Sequence, residues 1–207
     1  NDYVYDFTVN HESHDFIANG LVVSNCGVRL IKTNLTEKDV RPQLHKLTER
    51  MFEHIPCGEG KKGPVRLTPK ELEEVMAKGS EWALEHGFAV KEDVEHTEEN
   101  GRMRGADPKA VSDLAKQRGA PQLGTLGGGN HFGEIQKVEN VLDEESAKAF
   151  GLEKDQVVIM IHCGSRGFGH QIATDYIKTS LEWLRSQGIE LGDKRELAYS
   201  DIKSEVG

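Results

Sequence analysis

The sequence predicts an α/β fold, and three observations predict it. Gln156 to His162 (QVVIMIH) is a continuous apolar run of the kind that forms a buried strand. Apolar residues recur at helical spacing through Val40, Leu44, Leu47, Met51 and Ile55, and again through Ile172, Tyr176, Ile177, Leu181 and Leu184. Segments of strand period and helix period alternate along one chain, which is the pattern of the α/β class.

Taken in order, the elements start with a small β region. Val4 to Val9 alternates as a strand, a polar turn follows from Asn10 to Ser13, and Phe16 to Val23 supplies a second strand broken by an Asn19-Gly20 turn. The period becomes helical at Thr36, a plausible N-cap, and stays so to Ile55. A second helix opens at Thr68 as N-cap, with Pro69 in the first helical position and Glu71 completing a capping box. Its inner face is Leu72, Val75, Met76 and Ala83, and Gly87 is its stop. A third, shorter helix has Asp107 as cap, Pro108 next and Gly119 as stop. The strand at 156–162 and an amphipathic helix closed near Gly188 complete the reading. No internal repeat or low-complexity tract interrupts it.

Composition narrows the class of function. The 207 residues are 36% hydrophobic, enough for one sizeable core with a small appendage. No apolar run approaches the roughly 20 residues of a membrane-spanning helix, and the N-terminus lacks the pattern of a secretory signal, so a cytoplasmic home with no membrane partner is expected. Cys26, Cys57 and Cys163 are odd in number and widely spaced, which suits reduced thiols or metal ligands better than a disulfide framework. The net charge is −9, and residues 1–25 hold four acids and no base, so the remainder carries 31 acids against 26 bases. No overall basic footprint of a nucleic-acid binder exists, and any RNA contact has to come from local Lys and Arg groups or from further sequence.

Three segments concentrate groups able to bind metal: Asn25 to Leu30, Leu123 to Phe132 and Ile161 to His170. Each puts a thiol or imidazole beside glycine, where backbone can approach a metal or phosphate closely because no Cβ obstructs it. A metal beside a transferring phosphoryl group neutralises developing charge, so ligands clustered in a cleft serve nucleotidyl transfer. Thiolate and imidazole together favour zinc over manganese in raw affinity. A zinc-binding module or metal-dependent phosphate hydrolase built on Cys26, His131 and His162 is therefore the rival reading. Arg166, four residues beyond His162, offers a planar fork for a pair of phosphate oxygens or is a solvated surface charge. Lys116 and Arg118 are further candidates for RNA contact. Cys163 adjoins His162 but points to the other side of a strand, and it is left out of the site with Cys57.

The segments Cys26-Gly27-Val28-Arg29, Gly105-Ala106-Asp107-Pro108, Lys116 through Gly124, Gly129-Asn130-His131-Phe132 and His162 through Gly167 resemble, in order and spacing, the signatures of the RtcB family of RNA ligases. The resemblance covers residues 26–207 and implies the N-terminal portion of an RtcB-type catalytic domain, incomplete here. It implies that Cys26, His131 and His162 are manganese ligands and that Asn130, His131, Phe132, Gly133 and Glu134 border a guanine nucleotide. It implies GTP- and manganese-dependent joining of an RNA 2′,3′-cyclic phosphate or 3′-phosphate end to a 5′-hydroxyl, through a guanylylated histidine and an RNA-guanylate. Arg166 then contacts RNA phosphate, tRNA exon halves are the usual substrate, and an archease-type protein is a possible helper. The family pattern also expects an Asp shortly before Cys26 and further histidines after Gly207, so the chain alone is expected to be inactive.

Residues 3–25 (YVYDFTVNHESHDFIANGLVVSN) resemble the C-terminal end of an intein and give a first segment, 1–25, of different origin. In that family the last Asn cyclises through its side-chain amide, cutting the bond to the next residue, whose thiol accepts the upstream chain. Asn25 and Cys26 match these positions, and Asp6 and His14 match those that assist by polarity and proton transfer. Ser24 stands where the intein pattern has His.

Overall fold

The apolar triplets on either side of Asn19-Gly20 form strands β1 (Phe16–Ala18) and β2 (Leu21–Val23), which pair antiparallel with Ala18 opposite Leu21. An Asn-Gly pair between apolar segments predicts this hairpin. This computed structural model describes residues 16–18, 21–23, 26–58, 60–192, 195–201 and 203–206, so the strand expected over 4–9 lies outside the described residues. The chain divides into two compact units, one made of Asn1–Gly27 and Tyr176–Gly207, the other of Val28–Asp175.

Strand β3 (Gly27–Thr36) has no counterpart in the sequence expectations. Leu30 and Ile31 break the period-2 alternation, and every residue except Thr33 is exposed, so no buried face imprints a pattern on it. Thr36 then caps helix α1 (Glu37–Val40), with the Asp39 carboxylate accepting from the Thr36 amide at 2.8 Å and from its hydroxyl at 2.6 Å. The helix expected to run unbroken to Ile55 is instead interrupted by a tight 3₁₀ turn at Arg41–Gln43 and resumes as α2 (Leu44–His54). Pro42 is the reason, since it lacks the N–H that an uninterrupted helix needs.

The second expected helix starts as predicted. In α3 (Pro69–Lys78) the Thr68 hydroxyl accepts from the Glu71 amide at 3.2 Å, and the Glu71 carboxylate accepts from the Thr68 amide at 2.7 Å. It does not continue to Gly87, because Gly79 adopts φ 58° and separates α3 from α4 (Ser80–Glu85). A Cβ at Gly79 would lie 1.9 Å from the Gly101 carbonyl oxygen, so only glycine lets the two segments approach here. Helix α5 (Lys91–Glu95) follows. The third expected helix is two pieces: Asp107 caps only a 3₁₀ turn at Pro108–Ala110, and α6 (Asp113–Gly119) has its own cap in Ser112, whose hydroxyl accepts from the Ala115 amide at 3.2 Å.

Strand β4 (Phe132–Lys137), helix α7 (Glu144–Phe150), strand β5 (Gln156–Cys163) and helix α8 (Arg166–Ser186) complete the chain's main elements. The predicted buried strand is β5, central in a sheet of order β3-β5-β4 and antiparallel to β4. Within residues 28–175 the core gathers Leu72, Trp82, Ala115, Ala120, Val157 and Val158, all at most 5% exposed. Each large apolar side chain so buried contributes about 1.5–3 kcal/mol. In the other unit Leu184 and Ser180 of α8 are buried, in keeping with the helical stripe read from sequence. Among the described residues no helix is long and apolar enough to cross a membrane.

Candidate functional site

The site lies where β4 begins and β5 ends, and the antiparallel register builds it. Phe132 stands opposite His162, so two residues 30 positions apart become neighbours on one face of the sheet. The ring centres of His131 and His162 are 6.2 Å apart, and Phe132 packs on His162 at 5.2 Å. Nε2 of His162 is buried and has no hydrogen-bond partner among the described residues. Leaving such a nitrogen unsatisfied costs about 1–3 kcal/mol, which is the signature of a group that takes its partner from elsewhere. Two imidazoles bound through nitrogen at about 2.1 Å to one ion have ring centres between roughly 4.5 and 6.5 Å apart, so the 6.2 Å separation is compatible with a shared metal at a wide ligand angle. Among the described residues no three His, Cys, Asp or Glu side chains stand together as a complete metal-binding group.

Strand alternation separates His162 from its neighbours. Ile161 and Cys163 face a cavity of about 530 Å³ also lined by Leu72, Val75, Met76 and Phe168. The Cys163 thiol donates to the Leu126 carbonyl at 3.1 Å, binding the strand end to the glycine-rich loop. It faces away from His162, as the alternation predicts.

Arg166 is the second anchor. Its Nε donates to the Thr125 hydroxyl at 3.1 Å and its Nη2 to the Gly58 carbonyl at 3.3 Å. Thr125 in turn donates to the Gln122 carbonyl at 2.6 Å, and the Gln122 side-chain oxygen accepts from the Gly167 amide at 2.9 Å. The Arg166 backbone has φ 58°, an unfavourable conformation for a side-chain-bearing residue that costs of order 1–3 kcal/mol. Gly127 makes the approach possible. The position its Cβ would occupy lies 1.9 Å from Arg166 Nη1 and 2.7 Å from His131 Nδ1, so guanidinium and imidazole converge on one glycine.

The remaining expected positions are distributed as follows. Asn130 and Glu134 are exposed, and Glu134 accepts from the Gln136 amide nitrogen at 2.7 Å. Gly133 lies near Leu126 and Met51, on the face opposite Phe132. Cys26 is half-buried and directly precedes β3. Asp6, His14 and Asn25 lie outside the described residues. Lys116 is not available to RNA: its side chain is 8% exposed and its ammonium pairs with Glu73 at 2.6 Å. Arg118 donates to Gln171 at 2.7 Å and ties α6 to α8. Sequence reasoning missed Thr125, Gln122, Gly58 and Gly127 as the holders of Arg166. Only the run of glycines around Thr125 signalled that something would approach its backbone.

A family model described as tRNA-splicing ligase RtcB matches residues 5–207. The tRNA-splicing ligase RtcB of Pyrococcus furiosus is 54% identical over 206 residues, which is all of this chain and 21% of the relative. That of Methanocaldococcus jannaschii is 46% identical over 204 residues, 99% of this chain and 21% of the relative. That of Thermococcus kodakarensis is 53% identical over 183 residues, 88% of this chain and 38% of the relative. The chain thus spans between about a fifth and two fifths of the length of these relatives.

Proposed function

The chain belongs to the RtcB family, and on that premise we propose that it forms the N-terminal part of the catalytic domain of a manganese- and GTP-dependent RNA ligase. The observation that carries the reading is the buried Nε2 of His162, without a hydrogen-bond partner among the described residues, beside His131, with the Arg166 guanidinium converging with His131 on Gly127. His131 and His162 would hold the manganese together with Cys26, whose thiolate is a ready ligand once ionised. Bound there, the metal would polarise a phosphoryl oxygen and make an attacking hydroxyl easier to ionise.

The chain's own residues then have defined tasks. Arg166, with Nε and Nη2 already anchored, turns its remaining Nη1 edge toward His131, where a phosphate oxygen of the RNA end would accept from it. Gly129, exposed and with nothing near the position of a Cβ, leaves backbone open to a phosphate, and Asn130 through Glu134 border the guanine nucleotide. Bound GTP would supply the guanylyl group that activates the RNA 3′-phosphate for attack by the 5′-hydroxyl, with pyrophosphate and GMP as the leaving groups. We place this activity in the cytoplasm, on tRNA exon halves, with an archease-type helper.

The first 25 residues carry a second reading, the remnant of an intein that uses Asp6, His14, Asn25 and Cys26. The family model starts at residue 5 and does not separate this tail, and the lengths of the matches to relatives support the reading. The matches of 203–206 residues are to relatives of which the chain covers 21–24%, whereas the Thermococcus match is 183 residues and 38%. The longer proteins thus share with this chain about the length of the tail that the shorter one lacks.

The test uses the complete spliced protein with manganese and α-labelled GTP. Covalent label and manganese binding by electron paramagnetic resonance are both expected to be lost in His131→Ala and in His162→Ala. Release of phosphate from RNA ends without covalent label would overturn the ligase in favour of a hydrolase. Unchanged manganese binding in both variants would remove the metal assignment.

A further inference from the structure

We infer that residues 60–66, pinned at Gly63 and preceded by a second pin at Gly58, form a basic arch that carries the phosphate backbone of the RNA to Arg166, an inference that rests on the RNA-joining reading above. The first pin is Gly58, whose amide donates to the Gly127 carbonyl at 2.6 Å and whose carbonyl accepts from Arg166. The second is Gly63, buried, with its amide donating to the Pro121 carbonyl at 2.8 Å. A Cβ on Gly63 would lie 1.7 Å from the Leu123 carbonyl oxygen, and Pro64 packs against Gly124. Lys61 and Lys62 stand between the pins and Arg66 just beyond the second, all three exposed. Among the described residues none of the three forms an ion pair.

Residues 60–70 carry Lys61, Lys62, Arg66 and Lys70 with no Asp or Glu, in a chain whose net charge is −9. Screening limits the reach of charge to about 8 Å at physiological ionic strength, so a polyanion on the arch meets these four bases against only Glu59 and Glu71 at the edges of the stretch. Because the backbone is fixed at both pins, part of the ordering cost of binding is removed in advance. Apart from Val65 the arch contains only Gly, Lys, Pro and Arg. A protein partner would want an exposed aromatic or aliphatic anchor there, and Val65, the aliphatic side chain of the arch, is half-buried beside Gly124. A nucleic-acid backbone needs only the cations, and Arg166 at the first pin extends the track to the histidine pair.

The test measures binding of a single-stranded RNA with a 3′-phosphate to the complete spliced protein across a salt series, alongside labelling by GTP. In Lys61→Ala/Lys62→Ala/Arg66→Ala, affinity at low salt is expected to fall at least about tenfold. The slope of log affinity against log salt should become shallower by about 0.7 for each phosphate contact removed. Labelling by GTP should be retained, and the charge-preserving Lys61→Arg/Lys62→Arg/Arg66→Lys should restore RNA affinity. An unchanged slope and affinity in the alanine variant would overturn the arch. So would poly-glutamate binding as tightly as RNA and losing affinity equally in the variant. Absence of GTP labelling in the unaltered protein strikes the ligase reading instead, and the change in salt slope still decides the arch.

Discussion

Strand β5 keeps Val157 and Val158 at 4% exposure, whereas β3, its neighbour in the same sheet, leaves Val28, Leu30, Ile31 and Leu35 between 41 and 46% exposed. β5 has a strand on each side and apolar packing on its faces, and His162 stands next to its end. β3 has one strand partner and little over its faces. The contrast teaches that apolar content alone does not make a core. The same residue types stabilise the unit in one strand and contribute little in the other, because only β5 is enclosed.

The strongest way to break this comparison is Val158→Asp. A carboxylate at this enclosed position has no partner, and the variant is expected to lose at least about 3 kcal/mol, enough to unfold the unit. Chemical denaturation followed by circular dichroism measures it. A loss below about 1 kcal/mol would mean that β5 is no better enclosed than β3.

A smaller effect comes from the link between the two strands. The Thr33 hydroxyl donates to the Val157 carbonyl at 2.6 Å, and the Gln156 side chain donates to the Thr33 carbonyl at 2.7 Å. Thr33→Val keeps the shape, removes the first bond and is expected to cost about 1 kcal/mol in urea denaturation. No change would show that β3 rests on β5 without support from the hydroxyl. A loss as large as that of Val158→Asp would erase the difference between the strands.

The smallest effect sits at the end of β3, where Asp39 caps α1. Hydrogen bonds from the Thr36 hydroxyl, and then from the Thr36 amide, hold its carboxyl below the ordinary 3.8. A carboxyl lowered by folding adds stability above its unfolded value, and the contribution is lost as pH falls through the folded value. Melting temperature should therefore fall with acid below about pH 4 less steeply in Asp39→Asn than in the parent. Equal slopes would show that the cap is not formed in solution.

The sequence by itself determined what depends on a few adjacent residues. The β5 run, the start of α3 at Thr68-Pro69-Glu71, the stripe of α8 and the glycine-flanked histidines all rest on local periodicity, capping or backbone freedom. The α2 stripe was legible too, but Pro42 had to be weighed against it to place the break. Tertiary structure decided the rest. Gly79 interrupts a good helical pattern because the Gly101 carbonyl crowds it, a contact made 22 residues away. β3 left no alternation to read because neither of its faces is enclosed. Likewise, His131 and His162 come within 6.2 Å only because the β4–β5 register sets Phe132 opposite His162, and Arg166 depends on Thr125 and Gly58, 41 and 108 residues distant. Residue types and spacing state which groups can do chemistry, whereas pairing register and close packing of distant backbone decide which of them meet.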